Sequence, residues 1–241
     1  MSRQFFPILM YHSIAKFSKG TPMRSLHVSP KSFLWQMRIL KWLGYKGVCM
    51  SEIMPYLRGE KSGKVIGITF DDGYKNILTK ALPILKKFGF TATCYLVSQN
   101  IGGNNYWDLK KGLPICPTLE KKEVNEWLSN GMEIGSHSQN HVRLSEYSQS
   151  NFSKEIFHSK QDLEFSFNSP VNHFCYPYGD YNAQIISEVK SAGYESATTV
   201  NRGRATIDDN IHELPRVFVT HRTFPHLFLM KILTSYEDRR R

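Results

Sequence analysis

The sequence predicts an α/β fold, a parallel β-barrel with helices around it, and two observations lead to this prediction. Short runs of β-branched and aromatic residues alternate with amphipathic segments of helical period along almost all of the 241 residues. A chain of this length with 41% hydrophobic residues can bury one large core. Alternating strands and helices favour a parallel sheet, and the number of units favours a closed barrel over an open sheet.

The first half of the chain contains three strand–helix units. A strand is predicted at residues 7–12, and Ser29-Pro30 is typical of a helix start, because Ser caps free N–H groups and Pro fits the first turn. Apolar residues at helical spacing continue this helix to Gly44. The following elements are predicted as a strand at 47–50, a helix from about 51, a strand at 64–70, a helix at 76–88 and a strand at 91–97.

The second half begins with an irregular insertion at about 102–117. The pattern then resumes with a helix at 119–129, a strand at 132–135, a helix at 146–165, a strand at 172–176, a helix at 183–192, and strands at 195–199 and 216–219. Active sites of parallel barrels lie just past the carboxyl ends of the strands. Polar motifs at those positions are therefore the first candidates for function.

The charge of the chain limits its partners. Formal net charge is +10, from 31 Lys and Arg against 21 Asp and Glu. The basic residues are scattered and form no stripe with aromatic residues, so we expect a solvated surface and no nucleic-acid partner. Phosphate-bearing substrates or peripheral contact with an anionic membrane surface are alternatives, since residues 222–241 are predicted as a helical, basic tail that ends at Arg239 to Arg241.

The sequence also carries signals about location and redox state. No apolar run is long enough to span a membrane, and the apolar segment 5–11 meets His12 without a small-residue cleavage site. We therefore expect a cytoplasmic protein, in contact at most with the inner face of the cell membrane. The four cysteines show no C-x-x-C spacing, which predicts reduced, mostly buried thiols and no zinc finger. Oligomeric state has no signal in the sequence.

Two polar motifs follow predicted strands directly. Asp71 and Asp72 directly follow the strand at 64–70. Two adjacent carboxylates are energetically costly unless a cation or proton lies between them. The alternative is an ordinary Asp-Gly turn. His137 and His141 follow the strand at 132–135, and histidines four apart on a helical turn can bind one metal. Together the motifs predict a divalent-metal hydrolase site, because one carboxylate and two imidazoles leave coordination positions open.

A third motif, Pro177-Tyr178-Gly179, follows the strand at 172–176. Its Pro and Gly predict a tight loop whose backbone N–H groups could face a developing oxyanion, with an ordinary aromatic loop as the alternative.

These motifs resemble those of the polysaccharide deacetylase family, the family 4 carbohydrate esterases with a NodB-type domain. The first family motif, T-F-D-D-G, is matched at 69–73, and the second, H-[S/T]-x-x-H, at 137–141. The third, R-x-P-Y, is matched at Pro177 and Tyr178, but Cys175 stands where Arg is expected. The stretches 9–12 and 214–216 are similar to the biofilm-polysaccharide deacetylase type. The resemblance implies one NodB-like domain over 1–241, a distorted (β/α) barrel with about seven strands.

The resemblance also implies roles for the site residues. Asp71 would be the general base, and the backbone N–H of Tyr178, beside Pro177, would stabilise the oxyanion. The three ligands of Zn²⁺, with Co²⁺, Ni²⁺ or Mn²⁺ as alternatives, would be Asp72, His137 and His141.

Two further roles have competing candidates. The general acid is His12 or His221, since the first and last strands of a barrel are neighbours; we favour His12, with a packing or substrate-contact role as its alternative. Arg216 is the candidate replacement for the missing arginine, with a surface ion pair as its alternative.

The expected function is a metal-dependent hydrolase that removes the N-acetyl group from an acetamido sugar and releases acetate. Without an export signal, a lipid-linked, nucleotide-linked or lipopolysaccharide-type precursor of a cell-envelope glycan fits better than an exported polymer. The alternatives are a non-catalytic carbohydrate-binding module that retains the metal, a deacylase of another ester or amide, and a nucleic-acid binder.

Overall fold

A closed ring of parallel strands forms the centre of the protein in the computed structural model, which describes residues 4–240. The strands are β1 (Phe5–Phe6), β2 (Ile8–Tyr11), β3 (Lys46–Val48), β4 (Val65–Phe70), β5 (Thr93–Leu96), β6 (Glu133–Ser136), β7 (His173–Cys175), β8 (Ser196–Arg202), β9 (Ala205–Thr206) and β10 (Leu214–Phe218). The α-helices are α1 (Pro30–Trp42), α2 (Met50–Leu57), α3 (Leu82–Phe88), α4 (Tyr106–Leu109), α5 (Lys121–Ser129), α6 (Gln149–Phe167), α7 (Ala183–Ser191) and α8 (Pro225–Leu233).

Seven strands close the barrel in the order β2-β10-β8-β7-β6-β5-β4, and β4 pairs back to β2 with Ile8 opposite Gly67 and Tyr11 opposite Phe70. All of these pairings are parallel, so the carboxyl ends of the strands meet at one end of the barrel. β3 adds to the first half of β4, and β1 and β9 form a separate antiparallel ribbon. The prediction of a NodB-like barrel with about seven strands is confirmed.

The predicted helix signals act as expected at α1 and α3. The Ser29 hydroxyl accepts a hydrogen bond from the backbone N–H of Ser32 at 3.0 Å, and Pro30 occupies the first helical position. Residues 77–81 form a π-helical turn that runs into α3, and Gly89 ends that helix with a φ of 65°. The insertion at 102–117, predicted as irregular, contains α4, and Asn104 bridges Pro117 across it.

The end of the described chain packs against the barrel. Phe228 and Ile232 of α8 are buried in the core, while Phe224 is 58% exposed. Glu237 is fully buried, where its carboxylate pairs with Lys231 and with Arg202 of β8. No helix within residues 4–240 has the length and apolar character needed to cross a membrane. Membrane-surface contact by the basic tail stays a prediction, and Arg241 lies outside the described residues.

All four cysteines are buried and free, as their spacing predicts.

Candidate active site

Six of the predicted site residues line one cleft of about 260 Å³ at the carboxyl end of the barrel. Each follows the end of a strand, which is where a parallel barrel collects its functional side chains. Apolar walls from Met10, Leu26, Val200 and Phe218 flank the polar groups. The predicted residues that line the cleft are His12, Asp71, Asp72, His137, His141 and Tyr178.

Pairing between β2 and β4 sets His12 beside the two aspartates. The backbone N–H of Asp71 donates to the Tyr11 carbonyl at 3.0 Å, which continues the register of the two strands by one residue. His12 therefore leaves β2 at the level where Asp71 leaves β4, and its Nε2 lies 3.8 Å from Asp71 Oδ2. His221, the competing candidate for the acid, lines a different cavity.

The histidine motif is a loop and not the helical turn that the sequence predicts. Ser138 and His141 both have positive φ, 62° and 53°, which a right-handed helical turn does not allow. The loop is held at both ends: the N–H of His137 donates to the Leu96 carbonyl at 2.8 Å, and Glu155 of α6 accepts from the N–H of Asn140 at 2.9 Å. The two imidazoles converge because of this loop geometry and not because of helical period.

Asp72, His137 and His141 fit a divalent metal ion. Asp72 Oδ1 lies 3.5 Å from His137 Nε2 and 3.2 Å from His141 Nε2, and the three donor atoms are within 4.8 Å of one another. Ligand atoms around one tetrahedral zinc, at about 2.0–2.1 Å from it, are roughly 3.3 Å apart. The donor set is therefore spaced for one ion, and it is the mixed carboxylate and imidazole set typical of catalytic zinc.

Hydrogen bonding prepares His137 for that role. Its Nδ1 lies 2.7 Å from the Cys175 carbonyl, which can only accept, so Nδ1 carries the proton and Nε2 faces Asp72. Burial alone would lower the pKa of His137, but Cys175 and the carboxylates of Asp71 and Asp72 raise it to about 9. A metal ion at Nε2 would have to displace a proton that these neighbours stabilise.

Asp71 does not share this cluster, because Arg216 holds it from the other side. Arg216 is fully buried in β10, and its Nη1 and Nη2 donate to Asp71 Oδ1 and Oδ2 at 2.7 Å each. Burial would raise the pKa of Asp71, but the guanidinium lowers it below the usual value. Arg216 Nη2 also lies 3.2 Å from the sulfur of Cys175, so the guanidinium occupies the neighbourhood of the residue where the family motif has its arginine.

Backbone strain is concentrated at the site. Among residues 4–240, six residues other than glycine have positive φ, and four of them are Asp72, Ser138, His141 and Tyr178. Such conformations cost about 1 kcal/mol or more each for an L-residue and persist where the surrounding structure enforces them. Gly73 beside them has a φ of 68°, and a Cβ there would lie 2.8 Å from the Leu96 side chain.

Two residues at the site come from the insertion and were missed by sequence reasoning. The Trp107 ring stacks on the His141 ring, with centroids 4.6 Å apart and planes 20° from parallel. The buried Asp108 lines the cleft and pairs with Lys111 at 2.8 Å. Both belong to α4, which has only four residues and is too short for a periodic pattern that would predict a helix from the sequence. Their position fixes one wall of the cleft and the orientation of His141.

Comparison with known proteins agrees with this geometry. Residues 58–197 match the family model described as polysaccharide deacetylase. YxkH of Bacillus subtilis strain 168, a protein named after the same family, is 32% identical over 216 residues, which cover 89% of this chain and 71% of YxkH. The poly-β-1,6-N-acetyl-D-glucosamine N-deacetylase of Staphylococcus aureus is 26% identical over 239 residues, which cover 91% of this chain and 80% of that enzyme.

A solved structure shares the whole architecture. The Streptococcus pyogenes deacetylase PplD, solved in complex with acetate, superposes with a TM-score of 0.82 at 26% sequence identity. The superposition covers 96% of this chain and 99% of PplD.

Proposed function

Since the chain belongs to the polysaccharide deacetylase family, we propose that it is a metal-dependent N-deacetylase that removes acetate from an acetamido sugar of a glycan or glycan precursor. One observation carries the proposal. Asp71 is clamped by Arg216 with two 2.7 Å hydrogen bonds, directly beside the three donors that fit a metal ion. The two adjacent aspartates therefore have different partners: Arg216 for Asp71, the proposed base, and the two histidines for Asp72, the proposed metal ligand.

The roles follow from these partners. A divalent ion held by Asp72, His137 and His141 would polarise the acetamide carbonyl and lower the pKa of water. Asp71, kept ionised by Arg216, would accept the proton of the attacking water, and the backbone N–H of Tyr178 would donate to the developing oxyanion.

His12 would complete the reaction as the general acid. Its Nε2 lies 3.8 Å from Asp71 Oδ2 on the wall of the cleft. A proton from this imidazole would reach the sugar nitrogen as the C–N bond breaks, which yields acetate and a free amine.

The proposed substrate class rests on relatives and on charge. The S. aureus relative is named for its action on a polymer of N-acetylglucosamine, and this chain is similar to it along 91% of its length. The formal charge of +10 would suit a precursor that carries phosphate, whether lipid-linked, nucleotide-linked or of the lipopolysaccharide type. A cytoplasmic location at the inner face of the membrane stays a prediction.

An acetate-release assay tests the proposal. Protein loaded with Zn²⁺, Co²⁺, Ni²⁺ or Mn²⁺ is incubated with N-acetylglucosamine oligomers and with nucleotide-linked and lipid-linked N-acetyl sugars. Asp71→Asn should lose turnover by about 10²-fold or more, while metal content and sugar affinity persist. The exposed Asp208→Asn is the matched control and should keep wild-type rates. Metal and sugar binding without acetate release by the wild type would instead indicate a binding module.

A further inference from the structure

A second cavity, of about 360 Å³, opens at the amino end of α1. Its wall carries three cationic side chains, Lys16, Arg24 and Lys31, and two imidazoles, His27 and His221. Among the described residues, no Asp or Glu lines it. An opening with cations and no carboxylate attracts anions.

His27 is a buried polar side chain of this wall that could donate to a ligand. His27 is 1% exposed, and neither of its ring nitrogens has a hydrogen-bond partner within residues 4–240. Phe17 packs over the imidazole with ring centroids 4.0 Å apart and fixes its position. Every imidazole carries at least one N–H, and a buried donor without a partner costs about 1–3 kcal/mol. Burial lowers the pKa of His27 to about 4, so the neutral ring offers one N–H at neutral pH.

The first turn of α1 adds a second source of positive potential. The helix has 13 residues, with Ser29 as its cap and Pro30 as its first residue, and Ser29, Ser32 and Lys31 all line the cavity. The amino end of a helix carries about half a positive charge and favours an anion placed against it. No acidic residue occupies that first turn.

The cavity and the active-site cleft are separated by the segment 24–28, which pairs with Ser13. Ser13, which follows His12, donates from its N–H to the Leu26 carbonyl at 3.1 Å, and its own carbonyl accepts from Val28 at 2.9 Å. Leu26 lines the cleft, and His27, the next residue, lines the second cavity. The two openings therefore share the segment 24–28 as a common wall.

We propose that this cavity binds a phosphate group, and that the natural occupant is a phosphate of the substrate whose acetamido sugar lies in the active-site cleft. The second part rests on the proposed N-deacetylase function, and the first does not. A phosphate suits the site because its oxygens can accept from several donors at once, here His27, Lys31 and Arg24. The preferred substrates would then be sugars with a phosphate ester near the acetamido group.

Calorimetric titration with inorganic phosphate tests the first part on the full chain. Lys31→Gln should weaken phosphate binding roughly tenfold, because a hydrogen bond to a charged group is lost. Lys41→Gln, an exposed lysine near the other end of α1, is the matched control and should bind like the wild type. His27→Phe keeps the ring stack and removes the N–H, so it should also weaken binding. Equal phosphate affinity in the wild type and Lys31→Gln, or no binding, would overturn the site.

Kinetics with paired substrates test the second part. An N-acetylglucosamine oligomer with a terminal phosphodiester should have a KM roughly tenfold below that of the same oligomer without it, and Lys31→Gln should remove most of this difference. Phosphate binding with equal KM values would leave a site for free phosphate and refute the substrate assignment. Phosphate binding without turnover of either oligomer would contradict the proposed function while the anion site stands.

Discussion

Replacement of Arg216 by Met should destabilise the protein strongly. Arg216 is fully buried, and both of its 2.7 Å hydrogen bonds to Asp71 would be lost, while the Asp71 carboxylate, 3% exposed, would stay in place. Removal of one partner of a buried ion pair costs about 3–5 kcal/mol, because the other charge remains without compensation. A chain of this length loses about 2–4 °C in Tm per kcal/mol, so we expect Tm to fall by roughly 6–20 °C.

The same site offers an internal control for this magnitude. Asp71→Asn removes the carboxylate charge that Arg216→Met leaves without a partner. The double variant should therefore lose less free energy of unfolding than the sum of the two single variants, by at least about 2 kcal/mol. Arg216→Lys keeps the charge without the two-pronged geometry and should fall between wild type and Arg216→Met. The measurement is thermal unfolding of metal-free protein by circular dichroism. A loss below about 2 °C for Arg216→Met, or strict additivity of the pair, would refute the reasoning.

Three other outcomes are expected. His141→Ala should lose zinc from the site, measured by metal analysis after dialysis, together with turnover, whereas Tyr147→Ala nearby should retain both. His12→Gln should reduce kcat by about 10²- to 10⁴-fold with zinc content unchanged, and an unaltered kcat would exclude it as the acid. Glu237→Gln should cost about 3 kcal/mol, measured by urea unfolding, because the buried Lys231 loses its partner.

The Glu237 prediction includes a pH dependence. Burial would raise the pKa of Glu237, but Arg202 and Lys231 lower it below its ordinary value. The carboxylate therefore stabilises the fold above the ordinary Glu pKa, about 4.3, and this contribution disappears as pH falls through the lowered value. The Tm difference between wild type and Glu237→Gln should have its maximum value at pH 6 and decrease toward pH 3. A difference that grew on acidification would contradict the assigned ion pairs.

The barrel was predictable because its strands are mostly buried and its helices have clear signals. β4 is buried along all six residues, so it stands out as an apolar run, and Ser29-Pro30 marks the start of α1. β1 and β9 have two residues each and pair across about 200 positions, at Phe5 and Thr206. No local pattern specifies such a pairing, since its stability comes from tertiary contacts.

The site was predictable to the extent that its residues follow strand ends. Asp71, Asp72, His137 and His141 satisfied that rule, although the shape of the histidine loop did not follow from spacing. Trp107 was not predictable, because its place over His141 depends on how the insertion folds back. The bond from Arg216 to Asp71 spans 145 positions, so the missing arginine of the third motif could suggest it, whereas no periodicity could predict it.

Closure of the ring by β10 has a consequence for the order in which the chain acquires activity. β10 lies between β8 and β2, and it supplies the guanidinium on which Asp71 depends. A ribosome delivers β2 and β4 long before residue 216, so a nascent barrel has an open seam at β2, the strand that precedes His12. The three donors that fit a metal ion, Asp72, His137 and His141, precede β10 in the chain, but Asp71 acquires its Arg216 partner only when this strand enters. On the proposed mechanism, a chain that ends before β10 would have Asp71 without its guanidinium and would lack hydrolytic activity.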